Sequence, residues 1–202
     1  MAEQGSLFIY SGPSGVGKGT LLGPLMDPDS LRFSVSMTTR APRPGEMDGR
    51  EYFFVSREAF EEAIASGGLL EYAQYNGNYY GTPRKMVEEQ LAQGRDVILE
   101  IEVQGARQVR KAFPQAVSVF ILPPSYEILC QRLAGRGTEP PEVVEKRLAQ
   151  AKKELLCAGE YDYIIVNGDV ETARKQLQAV LTAAKCEKRF MDPFIGKVCE
   201  FA

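Results

Sequence analysis

The chain has 202 residues, 44% hydrophobic and 25% charged, which is enough apolar material for one large globular domain. A formal net charge of -3 disfavours a nucleic acid or an anionic membrane as the main partner. The sequence shows no signal-peptide pattern and no apolar run long enough to cross a bilayer, so we predict a cytoplasmic protein without a membrane partner.

Four short, nearly continuous apolar runs are typical of strands buried in a parallel sheet. They are LFIYS (7–11), DVILEI (96–101), VSVFIL (117–122) and YIIV (163–166). Helical patterns alternate with them, beginning near residue 17, at Thr82-Pro83, near Val103, near Ser125, after Pro140-Pro141 and near residue 170. We expect Thr82 to cap the second helix, Gly94 to end it, and Gly23-Pro24 to end the first one early. The alternation predicts an α/β fold with helices around a parallel sheet.

Residues 33–81 follow a different pattern of short, aromatic runs separated by turns, with Asn76-Gly77 as a hairpin signal. They predict a small, mostly antiparallel insertion with one helix at 57–66. Residues 132–153 are rich in Arg and Lys, and AGRGTEPPE supplies a flexible hinge. The final stretch, KRFMDPFIGKVCEFA, has no clear period and receives no assignment.

Histidine is absent from the sequence. This excludes the commonest general base, the Ser-His and Cys-His nucleophile pairs, and imidazole metal ligands. The four cysteines form no CxxC pair, which leaves a metal knuckle or a redox pair without support. Free thiols are expected in a cytoplasmic chain, with a disulfide between Cys186 and Cys199 as the alternative.

The stretch SGPSGVGKGT (11–20) has the spacing of a phosphate-binding loop between a strand and a helix. Its glycines let backbone N–H groups turn around an anion, and Lys18 supplies a charge for the outer phosphates. The position that usually carries a magnesium-binding hydroxyl holds Gly19, and Thr20 follows it. A glycine-rich turn beside a surface lysine is the alternative, which the flanking strand and helix disfavour.

Together with this loop, several motifs make the chain resemble guanylate kinase of the bacterial, single-domain type, from about residue 6 to about 185. They are FSVSMTTRAPRPGE, REYFFV, LLEYAQYNGNYYGTP, ILEIEVQGARQVR, RLAGRGTE and EKRLAQAKKEL. The resemblance implies a P-loop NTPase-type parallel sheet with flanking helices. It divides residues 1–202, as one domain, into a core (about 6–32, 82–124 and 160–188), a GMP-binding insertion (about 33–81) and a helical lid (about 125–159). The tail, 189–202, remains unassigned.

The resemblance also implies the ligands of both nucleotides. GMP would be bound through its phosphate by Arg40, Arg43, Tyr52 and Tyr80, and through its base by Ser36, Glu71, Thr82 and Glu100. ATP would be bound by Gly12, Pro13, Ser14, Gly15, Val16, Gly17, Lys18, Gly19, Thr20, Arg132, Arg136 and Asn167. Lys18, Arg40, Arg136 and Arg147 would be catalytic, and Mg²⁺ would be held by the nucleotides, with Thr20 and Glu102 acting through water.

Each of these side chains also has a plainer interpretation. Glu71 could be an exposed strand residue, Ser36 a turn hydroxyl and Thr82 only a helix cap, while the lid arginines could be solvated surface charges. Glu100 is harder to explain structurally, because it ends a strand that we expect to be buried, where an unpaired carboxylate is costly.

The activity implied is transfer of the γ-phosphoryl group of MgATP to GMP, and also to dGMP, by a monomer or homodimer that binds no nucleic acid. Two alternatives remain. One is a catalytically dead peptide-binding module, which typically loses the phosphate loop that this chain keeps. The other is a kinase of the same fold with another phosphorylated acceptor, against which the guanine-reading residues argue.

Overall fold

The computed structural model describes residues 5–27, 29–75, 77–135 and 141–200. These residues form two compact units. The first unit takes its residues from 1–9 and 27–116, and the second from 10–26 and 117–202. Among the described residues, no helix combines the length and the apolar composition that crossing a bilayer requires.

The elements in the first half of the chain are β1 (Leu7–Ser11), α1 (Lys18–Leu22), β2 (Leu31–Phe33), β3 (Met37–Thr38), β4 (Phe53–Phe54), α2 (Arg57–Ala65), β5 (Leu69–Tyr75), β6 (Asn78–Pro83) and α3 (Arg84–Ala92). The remaining elements are β7 (Asp96–Glu100), α4 (Val103–Ala112), β8 (Val117–Leu122), α5 (Tyr126–Ala134), α6 (Pro141–Leu155), β9 (Tyr163–Val166), α7 (Val170–Ala184) and α8 (Lys188–Cys199). The fold is therefore the expected alternation of strands and helices.

The larger sheet has five strands in the order β2-β7-β1-β8-β9. In the first unit β2 pairs with β7 in parallel, and in the second unit β8 pairs with β9 in parallel. The four predicted strands are all present, and β1, β7 and β8 are almost wholly buried. The strand β2 was not predicted, because its three residues are too few to show a pattern.

The prediction that β9 is buried is wrong. Ile164 and Val166 are 49% and 50% exposed, and only Ile165 is buried. Successive side chains of a strand point to opposite faces of the sheet, so Ile164 and Val166 share one face, which is half exposed, and Ile165 lies on the buried face. A run of apolar residues identifies a strand without telling how many of its faces are covered.

The first unit also contains the predicted insertion, as a four-stranded sheet in the order β4-β3-β6-β5. Here β3 pairs with β4 in parallel, while the other two pairings are antiparallel. The predicted hairpin is present as the pairing of β5 with β6, although Asn76 of its turn lies outside the described residues. Its helix α2 begins after Ser56, whose hydroxyl oxygen accepts a hydrogen bond from the N–H of Ala59 (3.2 Å).

The predicted starts of the helices were right except at Thr82, and the last predicted helix, expected over about 170–188, ends at Ala184. Strand β6 continues through Pro83, and α3 begins at Arg84 without a side-chain cap, so the prediction that Thr82 caps this helix is wrong. The hydroxyl group of Thr82 binds a carboxylate instead. The helix α1 ends at Leu22, before Gly23-Pro24, as expected. The unassigned tail contains the helix α8.

Candidate functional site

The glycine loop connects β1 to α1 and lies in the second unit. Its path requires glycine at two positions with left-handed backbone angles, Gly15 (φ +83°) and Gly17 (φ +93°). A Cβ atom at Gly15 would lie 2.8 Å from Cδ2 of Leu133, and one at Gly17 would lie 2.6 Å from Nδ2 of Asn167. Both the backbone angles and the close neighbours therefore demand glycine.

Two polar side chains hold the loop from behind. Asn167, which is 2% exposed, donates from Nδ2 to the carbonyl oxygen of Val16 (2.7 Å). Arg132 of α5 donates to the same carbonyl (3.4 Å) and to the carbonyl of Asn167 (3.0 Å). The backbone N–H of Asn167 in turn donates to the carbonyl of Leu122 at the end of β8 (2.8 Å). The described contacts of Arg132 and Asn167 thus support the shape of the loop.

The charged groups predicted around the loop are found on different elements of the second unit. Lys18 begins α1 and donates from Nζ to the carbonyl of Gly12 (2.7 Å), so its ammonium group lies along the loop. Arg147 of α6 donates to the hydroxyl group of Ser14. Arg136 lies outside the described residues.

The unusual residue of the loop, Gly19, is exposed, and among the described residues no atom outside its chain neighbours and its own helix backbone lies within 4 Å of a Cβ built there. Thr20 is also exposed, and its carbonyl accepts a hydrogen bond from Arg174 of α7 (3.3 Å). Within the described ranges, no group of three or more His, Cys, Asp or Glu side chains could hold a metal ion. The residues described around the loop would suit a magnesium ion that is held mainly by the phosphate oxygens of a nucleotide and by water, which are ligands that Mg²⁺ prefers.

In the first unit, Arg40, Tyr52 and Tyr80 form a cluster. The rings of the two tyrosines are 5.9 Å apart at 70°, and the guanidinium carbon of Arg40 lies 5.4 Å from the ring centre of Tyr52. Burial is the main cause of a raised pKa at Tyr52, so its hydroxyl keeps its proton and can donate to an anion. Three of the four predicted phosphate ligands are thus close together, while the exposed Arg43 is connected to them through an acid.

That acid, Glu46, is a residue that the sequence analysis missed. Both of its carboxylate oxygens accept from the guanidinium group of Arg40 at 2.9 Å, and one also accepts from the backbone N–H of Arg43 (2.7 Å). The bond from Arg40 is the main cause of a lowered pKa at Glu46. Its place three residues after Arg43 in APRPGE was the available signal.

The base-reading candidates Glu71 and Thr82 are paired on adjacent strands. Glu71 is 6% exposed, and its Oε1 accepts a hydrogen bond from the hydroxyl group of Thr82 (2.7 Å). Burial raises the pKa of Glu71 to about 7, and the negative charge of Glu102 adds to this effect. Ser36 is half-buried just before β3, and its carbonyl accepts from the N–H of Phe53 (2.9 Å). Glu71 is therefore a buried residue rather than an exposed one.

The expectation that Glu100 is buried is wrong, because this residue is exposed at the end of an otherwise buried strand. The two acids of the EIE segment act on different neighbours. The charge of Glu102 raises the pKa of Glu71, whereas the charge of Glu100 contributes to the raised pKa of Tyr52. Glu102 is therefore the acid of this segment whose charge acts on the base-reading pair.

A parallel sheet whose first strand leads through a glycine loop into a helix defines a P-loop nucleotide-binding protein of the α/β class. The family model described as guanylate kinase matches residues 4–184. The chain belongs to the guanylate kinase family.

Named relatives agree with this family. A guanylate kinase of Streptococcus thermophilus is 53% identical over 185 residues, covering 91% of this chain and 88% of that protein. One from Lactiplantibacillus plantarum is 48% identical over 197 residues, which are 96% of each chain. The crystal structure of guanylate kinase from Anaplasma phagocytophilum has a TM-score of 0.73 at 35% identity, covering 92% of this chain and 88% of that one.

Proposed function

We propose that the chain transfers the γ-phosphoryl group of MgATP to GMP, giving ADP and GDP, with the residue roles set out below. As a guanylate kinase, it is an ATP:GMP phosphotransferase and a nucleoside monophosphate kinase of purine metabolism. The observation that carries the residue roles is the presence, in one chain, of a constrained phosphate loop and a buried carboxylate–hydroxyl pair.

Guanine offers two adjacent donors, N1–H and the 2-amino group, beside the acceptor O6. The carboxylate of Glu71 can accept from both donors, and the hydroxyl group of Ser36 can donate to O6. Thr82, whose hydroxyl proton is donated to Glu71, orients that carboxylate beside the base. We assign Glu102 as the second carboxylate of the base site, in place of Glu100, because its charge acts on Glu71. Adenine presents a lone pair at N1, so these carboxylates would face an acceptor, and AMP is rejected.

The GMP phosphate is a dianion near neutral pH, which arginine forks and phenolic donors bind well. Arg40, Arg43, Tyr52 and Tyr80 supply these groups. Because Glu102 is assigned to the base, Thr20 of the phosphate loop is the residue proposed to contact Mg²⁺ through water. When bound with ATP, this ion neutralises the charge that builds up on the phosphates.

The ATP phosphates would lie in the loop, where backbone N–H groups and Lys18 bind them. Arg147 and Arg136, from the lid at about 125–159, would bind the phosphoryl group during transfer, while Arg132 and Asn167 keep the loop in shape. The attacking oxygen of GMP is already anionic, so no general base is needed. This explains how a chain without histidine can catalyse the reaction.

The sequence-based division into core, insertion and lid belongs to this proposal, as do a cytoplasmic location, use of dGMP and a monomeric or homodimeric state. Closure of the lid and of the insertion would exclude water, which would otherwise hydrolyse ATP.

A coupled assay of ADP formation from MgATP, with GMP, AMP, CMP and UMP as separate acceptors, tests the proposal. We expect turnover with GMP alone. The Glu71→Gln variant should lose GMP turnover and keep its affinity for ATP, because the amide presents a donor to the donors of guanine. Equal turnover with another acceptor, or an unchanged Glu71→Gln variant, would refute the assignment of the base site.

A further inference from the structure

The helix α4 packs against β5 at the position of the buried carboxylate. Gly105 of α4 is buried, and a Cβ atom at this position would lie 3.0 Å from Cδ and 3.3 Å from Cγ of Glu71, and closer still to Oε2. The contact with Oε2 would be shorter than 3.0 Å, a separation that real Cβ atoms essentially never show, so the carboxylate would have to shift. The carboxylate of Glu71 therefore occupies space that exists only because residue 105 has no side chain.

A second residue of α4 fixes the backbone beside this carboxylate. Gln108 donates from Nε2 to the carbonyl of Tyr72 (2.8 Å), and its Oε1 accepts from the N–H of Tyr72 (3.2 Å). The strand β5 ends the order of its sheet, so this amide takes the place that a further strand would have. The residue adjacent to Glu71 is thereby anchored to the same helix that leaves room for its side chain.

The remaining groups around Glu71 limit where its carboxylate can move. Thr82 binds Oε1 from the neighbouring strand, and the charge of Glu102 acts on it from the start of α4. The side chain is 6% exposed, so solvent offers it little alternative space. A shift caused by a new Cβ atom would change the distances to a bound base.

We propose that Gly105 and Gln108 are positioning residues for the carboxylate of Glu71, through which α4 determines selectivity for guanine. This proposal rests on the base site described under the proposed function. Both residues act through others: Gly105 leaves space for Glu71, and Gln108 holds the backbone of Tyr72. A misplacement of about 1 Å can cost roughly 100-fold in rate.

The first test is the Gly105→Ala variant, assayed with GMP and with MgATP as the varied substrates. We expect the KM for GMP to rise about 30- to 100-fold, while the KM for ATP stays within about twofold. The matched control is Gly196→Ala, also inside a helix, where among the described residues only the neighbouring residues and the backbone of the helix itself would lie within 4 Å of the new Cβ. An unchanged KM for GMP in Gly105→Ala would overturn the proposal.

A compensating change separates displacement of the carboxylate from general damage. Aspartate is shorter by one methylene group, so Glu71→Asp should relieve the contact with a Cβ at residue 105. We expect the Gly105→Ala/Glu71→Asp protein to use GMP better than the product of the two single effects predicts. Effects that simply multiply would contradict the proposed contact.

Gln108→Ala provides an independent test that leaves the buried space unchanged. We expect the KM for GMP to rise about fivefold and the preference for GMP over IMP, which lacks the 2-amino group, to fall, with Gln104→Ala on the same helix as the control. An unchanged KM and an unchanged preference would refute the role of Gln108.

If the unaltered protein did not phosphorylate GMP, the proposed function would fail instead, which distinguishes the two failures.

Discussion

The two nucleotide regions are built in different ways. In the second unit, the phosphate loop is shaped by its own backbone, with left-handed glycines and with side chains that bind its carbonyl oxygens. In the first unit, the candidate GMP ligands are side chains held by other side chains, as Arg40 is by Glu46 and Glu71 is by Thr82.

This difference explains why a sequence motif predicts the phosphate loop fully but predicts the candidate GMP site only in part. A backbone-built site needs particular residues at fixed spacing, because glycine alone adopts the required angles. A site built from side chains depends on neighbours that are distant in sequence, such as Thr82 for Glu71. We therefore expect single substitutions to affect the two regions differently.

The largest effect should come from the one side-chain charge that the loop itself supplies. Lys18→Ala should lower kcat/KM by about 10³-fold, because a positioned charge on the transferring phosphates is lost, corresponding to about 4 kcal/mol. The coupled assay measures this effect, and thermal unfolding should be little changed. A loss of less than about tenfold would mean that the loop backbone binds the phosphates without help.

The second prediction concerns stability and pH at Glu71. Its folded-state pKa of about 7 lies above the ordinary value of 4.5, so the folded protein holds a proton that the unfolded chain has lost between these values. The free energy of unfolding should fall across that window as the pH rises, by about 3 kcal/mol in all. Glu71→Gln should lack this decrease and be the more stable protein above pH 7. Urea unfolding from pH 4.5 to 8 measures the free energy of unfolding of the original protein and of Glu71→Gln. The same dependence on pH in the two proteins would contradict the prediction.

A smaller effect should follow from removing the support behind the loop. Asn167→Ala loses the bond to Val16 and leaves a gap beside Gly17. We expect the KM for ATP to rise about tenfold, because about tenfold in affinity corresponds to the free energy of one buried hydrogen bond. The KM for GMP should stay constant. An equal rise for both substrates would show that the two regions are not independent.

The smallest effect is expected at the unusual position of the loop. Gly19→Ser restores the hydroxyl group of the common motif at a place where, among the described residues, a Cβ meets no atom within 4 Å beyond its chain neighbours and its own helix backbone. Activity should stay within about threefold of the original, because Mg²⁺ already has its phosphate and water ligands. A large gain with Mg²⁺ would show that the glycine weakens the site.

The sequence predicted those features of the structure that adjacent residues determine, and it failed for features that depend on residues distant in the chain. The loop, the positions of β1, β7, β8 and β9, and the early end of α1 follow from adjacent residues, and these were predicted. The exposure of β9 and of Glu100 depends on which elements cover them, which no local pattern contains. Thr82 was misassigned because the Thr-Pro pair is a good helix start, yet its partner Glu71 lies eleven residues earlier. Gly105 gave no signal, because its role is the space that it leaves for that acid.

The bond between Asn167 and Val16 has a consequence for the order of events on the ribosome. Its two residues are 151 positions apart, so the phosphate loop is synthesised well before the side chain that supports it. At about 5–20 residues per second, roughly 8 to 30 s pass before its supporting residue exists. The segment 10–26 belongs to a unit whose other residues all follow 116, so it completes its folding only after the first unit has been made. The phosphate loop is therefore stabilised only long after its own residues have been made.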